Sequence, residues 1–167
     1  MKRTLALILG MLVSGSIVFA ATGKSTSAHG TTSHAAVHPM VASGDEVTWG
    51  DAPSVLPAGA KLAVLDGNPS GPGAYTVRLK MPDGYQIKPH THPTAEHVTV
   101  LGGTFHVGMG RTFDTSGGSA VAPGGFGTMP AHTAHFAWTS GETIVQIHGM
   151  GPFALTYVNP SDDPSRK

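Results

Sequence analysis

The sequence predicts an all-β protein, an antiparallel sandwich or barrel. Glycine (23) and proline (13) are abundant, and charged residues make up only 12% of the chain. Both abundant residues favour turns and are poor in helix interiors. From about residue 45 onward, short β-like runs alternate with turn sequences at roughly ten-residue spacing. No stretch beyond the first twenty residues has the periodicity of an amphipathic helix, which argues against a helical bundle.

Eight runs have the composition of strands, and turn signals separate them. Gly102 and Gly103 stand between the third and fourth runs and predict a tight hairpin there. Residues 140–142 predict a turn between the sixth and seventh. Alternation along a strand means that about half of the apolar side chains in these runs are central. The runs are 61–65, 74–81, 98–101, 104–109, 126–129, 134–139, 143–148 and 153–158. The candidate inward side chains are Leu62, Val64, Val77, Leu79, Val98, Val100, Phe105, Val107, Phe136, Trp138, Val145, Ile147, Leu155 and Tyr157.

Residues 1–20 have the pattern of a signal peptide. Lys2 and Arg3 precede a largely apolar stretch over 5–18, and small residues end at Ala20, after which cleavage is expected. A retained anchor is the alternative, but the stretch is short for a spanning helix and contains glycine and serine. The sequence therefore predicts an exported, periplasmic or secreted protein with no stable membrane insertion after cleavage.

Three further segments follow the predicted signal peptide. Residues 21–44 are rich in Ser, Thr, Ala and Gly and contain His29, His34 and His38. Such a composition buries too little apolar surface to order itself, so a flexible linker is favoured over a metal-scavenging tail. Residues 45–160 form the predicted β-barrel domain. The last residues, 161–167, are predicted to be a disordered tail.

The charge balance and the histidine content limit the partners of the chain. Lys plus Arg equals Asp plus Glu at 10 each, and no basic stripe is present, which argues against nucleic-acid binding. Ten histidines and no cysteine mean that a metal site must use imidazole and carboxylate donors. The expected partner is a small-molecule substrate or ligand. A homodimer is also compatible with the sequence.

The densest group of candidate ligands lies in residues 83–103. His90 and His92 share one face of an extended chain, and Glu96 has the same parity further along. His97 has the opposite parity, so it is expected to point away from the metal. This reasoning assumes that the chain stays extended through Pro93. Glu96 is therefore favoured over His97 as the third ligand.

These residues also carry a family resemblance. Gly84, His90, His92, Glu96 and Gly103 match the first motif of the cupin superfamily, G(X)5HXH(X)3–4E(X)6G, at every defined position. A second motif is similar to residues 124–135, from a glycine through a proline turn to a histidine. Its ligand position is His135, and there are two departures from the pattern. His132 replaces the usual turn glycine, and Thr139 stands where an Asn is common.

The resemblance implies an antiparallel jelly-roll barrel, or double-stranded β-helix, with a metal at its mouth. The ligands it implies are His90, His92, Glu96 and His135, and the alternative is a cupin that has lost its metal. The ion would be one divalent transition metal, Mn, Fe, Ni, Cu or Zn, because these donors suit all of them. His132 and His148 are the candidate catalytic residues, for handling a proton.

Three histidines and one carboxylate resemble the spheres of germin-type oxalate oxidases, quercetin-type dioxygenases and acireductone dioxygenases. The resemblance implies a small metal-dependent oxidoreductase, of dioxygenase or oxidase type, that acts on an oxygenated small molecule outside the cytoplasm. A non-catalytic metal- or ligand-binding module, which would sequester or sense, is the alternative. A metal-dependent isomerase is the third hypothesis. The cupin fold by itself does not determine which of these functions the protein has.

Overall fold

A computed structural model describes residues 43–167, which form nine strands and four short 3-10 turns. The predicted signal peptide, 1–20, and nearly all of the predicted linker, 21–44, lie outside the described residues. Within 43–167, no helix is long and apolar enough to cross a membrane. The strands are β1 Gly50–Asp51, β2 Lys61–Gly67, β3 Gly73–Met81, β4 Gln86–Thr91, β5 Glu96–Met109, β6 Ser119–Val121, β7 Phe126–Met129, β8 His135–Gly151 and β9 Thr156–Tyr157. The 3-10 turns are Gly44–Glu46, Thr115–Gly117, Pro160–Asp162 and Pro164–Arg166.

Two long bent strands, β5 and β8, organise the fold. They pair antiparallel along nearly their whole length, with register shifts between Val100 and Gly102 and between Gly102 and Thr104. The tight hairpin predicted at Gly102 and Gly103 is therefore wrong, because the segments on both sides pair with β8 and not with each other. Gly103 has a φ of 72° and lies against the backbone of Glu142, where a Cβ would collide. The glycine permits a bend between two sheets.

The bends divide the strands into two facing sheets. In the first, the order is β1, β2, β3, the second half of β8, the first half of β5, and β7. In the second, the order is β9, β4, the first half of β8, the second half of β5, and β6. Because both long strands pass from one sheet to the other, the sheets close on a single core. The fold is the all-β, antiparallel jelly-roll barrel that the sequence predicts.

The core lies between the inner faces of the two sheets. Most of the predicted inward side chains are buried there, including Val77, Val100 and Val145, each at most 1% exposed. Val64, Phe136 and Trp138 are exceptions. Val64 is 51% exposed, because β2 directs its neighbour Ala63 inward instead, and Phe136 and Trp138 stack on each other on the outer face of β8. His106 stacks on Trp138 there with ring centroids 4.8 Å apart. Parity alone predicted alternation along β8, but not which alternate set faces inward.

The C-terminal residues are more regular than the predicted disordered tail. Pro160–Asp162 and Pro164–Arg166 each form one 3-10 turn. Asn159 accepts a hydrogen bond from the N–H of Ser161, and Asp163 accepts one from the N–H of Ser165. Side-chain caps of this kind satisfy the free donors at the start of a turn. The two caps account for the local order.

Candidate metal centre

Three histidines meet at the end of the barrel where β4 ends and β8 begins. His90 lies opposite His135 in the register of these strands, and His92 follows immediately after β4. All three side chains are at most 5% exposed. One ring nitrogen from each lies within 4.8 Å of the other two. We call these three residues the inner histidine cluster.

A bulge in β4 turns His90 toward the interior. Ile87 pairs with Ala137 and His90 pairs with His135, so β4 has one residue more than β8 between these two pairs. Pro89 lies within the bulge and has no N–H to offer a neighbouring strand, which suits this irregularity. The extra residue brings Ile87 and His90, which differ in parity, to the same buried face.

Backbone carbonyls fix the orientation of all three imidazoles. The Nδ1 atom of His90 lies 2.7 Å from the carbonyl oxygen of Lys88, and that of His92 lies 2.9 Å from the carbonyl of Ala154. The Nδ1 atom of His135 lies 2.9 Å from the carbonyl of Thr133. A carbonyl can only accept, so each Nδ1 must carry the hydrogen. Each neutral ring then directs the lone pair of Nε2 into the shared space, the tautomer that metal-binding histidines use.

The Glu96 carboxylate joins the inner histidine cluster from the first sheet. Its Oε2 atom lies 3.5 Å from His92 Nε2 and 3.7 Å from His135 Nε2, and the residue is 8% exposed. The chain bends at residues 93–94, so it is not extended through Pro93 as the parity argument assumes. Glu96 reaches the interior because β5 begins there, opposite Gly149 of β8. The predicted inward residue is right, although the assumption behind it is not.

His97 lies on the opposite face of β5, as predicted. Its Nδ1 atom is 3.2 Å from the hydroxyl of Thr128, and its ring stacks on Phe126 at 6.2 Å. His148 is the register partner of His97 on β8, so both side chains point outward. We call His97 and His148 the outer histidine pair.

The structure does not bring the two predicted catalytic histidines into the site. His148 belongs to the outer pair and has its Nδ1 atom 3.5 Å from the Thr76 hydroxyl, so the sheet separates it from the inner cluster. His132 is exposed in the turn before β8, where its N–H donates to the carbonyl of His92. It takes a left-handed φ of 59°, which explains why glycine is usual at this position. Its backbone supports the site, and its ring makes no hydrogen bond within residues 43–167.

The electrostatics of the inner histidine cluster fit a cation. Burial lowers the pKa of His90 to about 3, with the neighbouring His135 and His92 adding to the effect. Burial also lowers the pKa of His92. Neutral rings with Nδ1–H leave three nitrogen lone pairs facing a carboxylate, an arrangement that only a positive charge between them makes favourable. His92 Nε2 is buried without a hydrogen-bond partner. These donors fit one divalent transition metal.

Tyr75, an aromatic residue beside the cluster, is not among the predicted site residues. Tyr75 of β3 pairs with Gly149, which in turn pairs with Glu96, so the three form one row across the inner face. A Cβ on Gly149 would lie 2.6 Å from the Tyr75 hydroxyl, which therefore extends across the glycine toward Glu96. Burial and the Glu96 charge raise the pKa of Tyr75 to about 12. The only sign of this contact in the sequence is Gly149, a glycine near the end of a predicted strand. Only the strand register shows that it leaves room for the Tyr75 hydroxyl beside Glu96.

Phe153 covers the other side of the site. Its ring stacks on His92 with centroids 5.9 Å apart and meets Tyr75 edge-on at the same distance. Tyr157 lies beside His90 at 6.0 Å and donates a hydrogen bond to the carbonyl of Val55. Apart from Glu96, the side chains described here beside the inner cluster are aromatic and uncharged at neutral pH.

The fold and this site can be compared with known proteins. A proposed acetylacetone dioxygenase from Methylibium petroleiphilum is 21% identical, with a TM-score of 0.59 over 78% of this chain and 88% of that one. An acetylacetone dioxygenase from Acinetobacter johnsonii is 18% identical, with a TM-score of 0.58 over 77% and 83%. The polyketide cyclase RemF from Streptomyces resistomycificus is 16% identical, with a TM-score of 0.60 over 77% and 92%.

These likenesses establish a shared fold and leave the reaction open, since a cyclase and two dioxygenases resemble the chain equally well. Among curated proteins, none matches it. The family model of the ChrR cupin-like domain matches residues 37–154, which is most of the sequence. The protein therefore belongs to the ChrR cupin-like family of the cupin superfamily.

Proposed function

We propose that this protein is a small metal-dependent oxidoreductase, of dioxygenase or oxidase type, acting on an oxygenated small molecule. The observation that carries the proposal is the set of three Nε2 lone pairs facing the Glu96 carboxylate, each fixed by a backbone carbonyl on Nδ1. His90, His92, Glu96 and His135 would hold the ion. Such a metal supplies a Lewis acid and, when it is redox-active, one-electron chemistry with dioxygen.

The surrounding side chains define the kind of substrate. Tyr75 offers a hydroxyl beside Glu96, and its high pKa keeps it a hydrogen-bond donor at neutral pH. Phe153 and Tyr157 provide apolar surface and exclude water. One donor in an aromatic surround suits a neutral or singly charged molecule with a carbonyl or enol oxygen. A small β-diketone is the first candidate, in line with the acetylacetone dioxygenases of similar fold.

Oxygen uptake tests this proposal. Protein loaded separately with Mn, Fe, Ni, Cu or Zn is mixed with acetylacetone, a phenol or oxalate, and dissolved oxygen is followed. We expect uptake with a redox-active metal and a diketone, and its loss in His92→Ala. Tyr75→Phe should raise KM or lower kcat without releasing the metal. Absence of uptake with every metal and substrate would contradict the oxidoreductase.

A non-catalytic metal- or ligand-binding module is the second candidate. It is favoured by the positions of the two predicted catalytic histidines, since neither ring reaches the inner cluster. A metal-dependent isomerase stays a third hypothesis. Metal-dependent binding of a diketone with no turnover, measured by calorimetry, would favour the binding module.

We also propose that the protein works outside the cytoplasm. Lys2 and Arg3, the apolar stretch and the small residues ending at Ala20 support export. N-terminal sequencing of the mature protein should begin at Ala21 or within a few residues of it. An intact Met1 on membrane-bound protein would contradict this.

A further inference from the structure

A row of four polar side chains crosses the outer face of the first sheet. The outer histidine pair forms its centre, because His97 and His148 are direct partners on β5 and β8. Thr76 of β3 flanks His148, and Thr128 of β7 flanks His97. Cβ atoms of direct partners in an antiparallel pair lie about 5 Å apart. Two imidazoles at this spacing can reach a common ion on the solvent side.

The flanking threonines leave one nitrogen of each imidazole available. The Nδ1 atoms lie 3.2 Å and 3.5 Å from the hydroxyls of Thr128 and Thr76. Within residues 43–167, neither Nε2 has a hydrogen-bond partner. Because a hydroxyl can accept as well as donate, Nδ1–H can donate to it while Nε2 coordinates a metal. Binding an ion therefore requires no loss of the threonine contacts.

A recess of about 290 Å³ adjoins the outer histidine pair and contains a third potential ligand. Its lining includes both histidines and Met150, which lies two residues beyond His148 on the same face of β8. Met150 is 54% exposed, so much of its side chain is accessible from solvent. Its backbone carbonyl accepts a hydrogen bond from the Thr94 hydroxyl at 2.7 Å, which fixes this end of the strand. We call this cavity the outer recess.

We propose that the outer recess is a second metal site, one that binds copper through His97, His148 and Met150. Imidazole suits several first-row metals, whereas a thioether ligand favours Cu(I) and binds hard ions weakly. No carboxylate lines the recess, in contrast to the inner cluster with Glu96. The two sites therefore differ in ligand type, and the outer one is open to solvent. This proposal is independent of the reaction proposed for the inner site.

Copper stoichiometry in the full chain tests the second site. Wild type and the double variant His97→Asn/His148→Asn are equilibrated with Cu(II) or Cu(I) against a competing chelator, desalted, and measured by elemental analysis. We expect wild type to hold one copper equivalent more than the double variant. The inner cluster and the predicted linker histidines are the same in both chains, so the difference reports on the outer recess. Equal copper in both chains would overturn the site.

Two single variants sharpen the test. Met150→Leu should weaken Cu(I) binding more than Cu(II) binding, because only the thioether is lost; equal weakening would overturn the role of Met150. His106→Gln is the matched control, since His106 is a half-buried outer histidine that instead contacts Ser140 at 2.9 Å and stacks on Trp138. It should retain the additional equivalent. A loss as large as that of the double variant would mean non-specific binding and would overturn the proposal.

Discussion

Two groups of histidines, one inside the barrel and one on its outer surface, have different surroundings. The inner cluster is buried and holds its Nδ1 hydrogens on backbone carbonyls, which fixes the tautomer before any ion arrives. The outer pair is half-buried and contacts threonine hydroxyls, which can donate or accept. Residue type is the same in both groups. Burial and the kind of hydrogen-bond partner decide which histidines are organised in advance for metal binding.

Removing one histidine from each group is the strongest way to test this difference. His92→Ala removes a buried ligand, and we expect the protein to lose its inner metal on dialysis. Changes to residues that merely orient a ligand already cost about 10–100-fold in affinity, so losing the ligand should cost more. Elemental analysis of zinc-loaded protein measures it. His97→Ala is the control and should keep the inner zinc; a similar loss there would mean that the faces are assigned wrongly.

Acid should destabilise the metal-free protein through the inner cluster. The pKa of His90 is about 3 in the folded chain and about 6.5 when unfolded. Above pH 6.5 both states are neutral. As pH falls from 6.5 toward 3, the unfolded chain binds a proton that the folded chain does not, so stability decreases across this window. We expect a loss on the order of several kcal/mol in urea unfolding.

A pair of variants shows whether this acid sensitivity comes from the inner face. His90→Asn should make the dependence between pH 6.5 and 3 less steep, because this buried group no longer titrates, while His92, whose pKa is also lowered, remains. His148→Asn removes an outer histidine and should leave the steep part of the curve in place. If both variants gave the wild-type slope, another group would be responsible for the acid effect.

A chelator should lower stability without unfolding the barrel. The core of apolar side chains such as Val77, Val100 and Val145 does not include the ligands. The bound metal should add about 2.7 kcal/mol at a hundredfold excess over Kd. This increment should fade in acid, because the ligand histidines must be neutral to bind. Melting curves with and without chelator, at pH 7.5 and pH 5, measure it, and outright unfolding by chelator would contradict an independent core.

The smallest expected effect is at Gly149, which pairs with Glu96 on the inner face. In Gly149→Ala the new methyl group would meet the Tyr75 hydroxyl at 2.6 Å, and the ring would have to move. We expect a loss of about 1–3 kcal/mol in the free energy of unfolding. Gly127→Ala is the matched control in β7, where the nearest atom is Met129 Sδ at 4.0 Å. It should change stability by no more than about 0.5 kcal/mol.

The sequence by itself determined the strand-rich fold and the residues that form the inner site. Glycine, proline and short β-like runs are local features, and the spacing of His90, His92 and Glu96 is a motif within one segment. These features can be recognised without knowledge of tertiary contacts, because strand alternation depends only on neighbouring residues. His135 came from the resemblance to the second cupin motif, in which it stands at the ligand position after the proline turn.

Only the tertiary structure decided which other residues reach the site. The register of β5 and β8 placed His148 outward beside His97. Bends at Gly103 and Gly141 stand where the sequence predicted turns between separate strands. The bulge in β4 turned His90 inward. Tyr75 became a neighbour of Glu96 because strands distant in sequence pair across Gly149. The physical reason is that a one-residue shift in register exchanges the two faces of a strand. No local pattern in the sequence fixes such a shift.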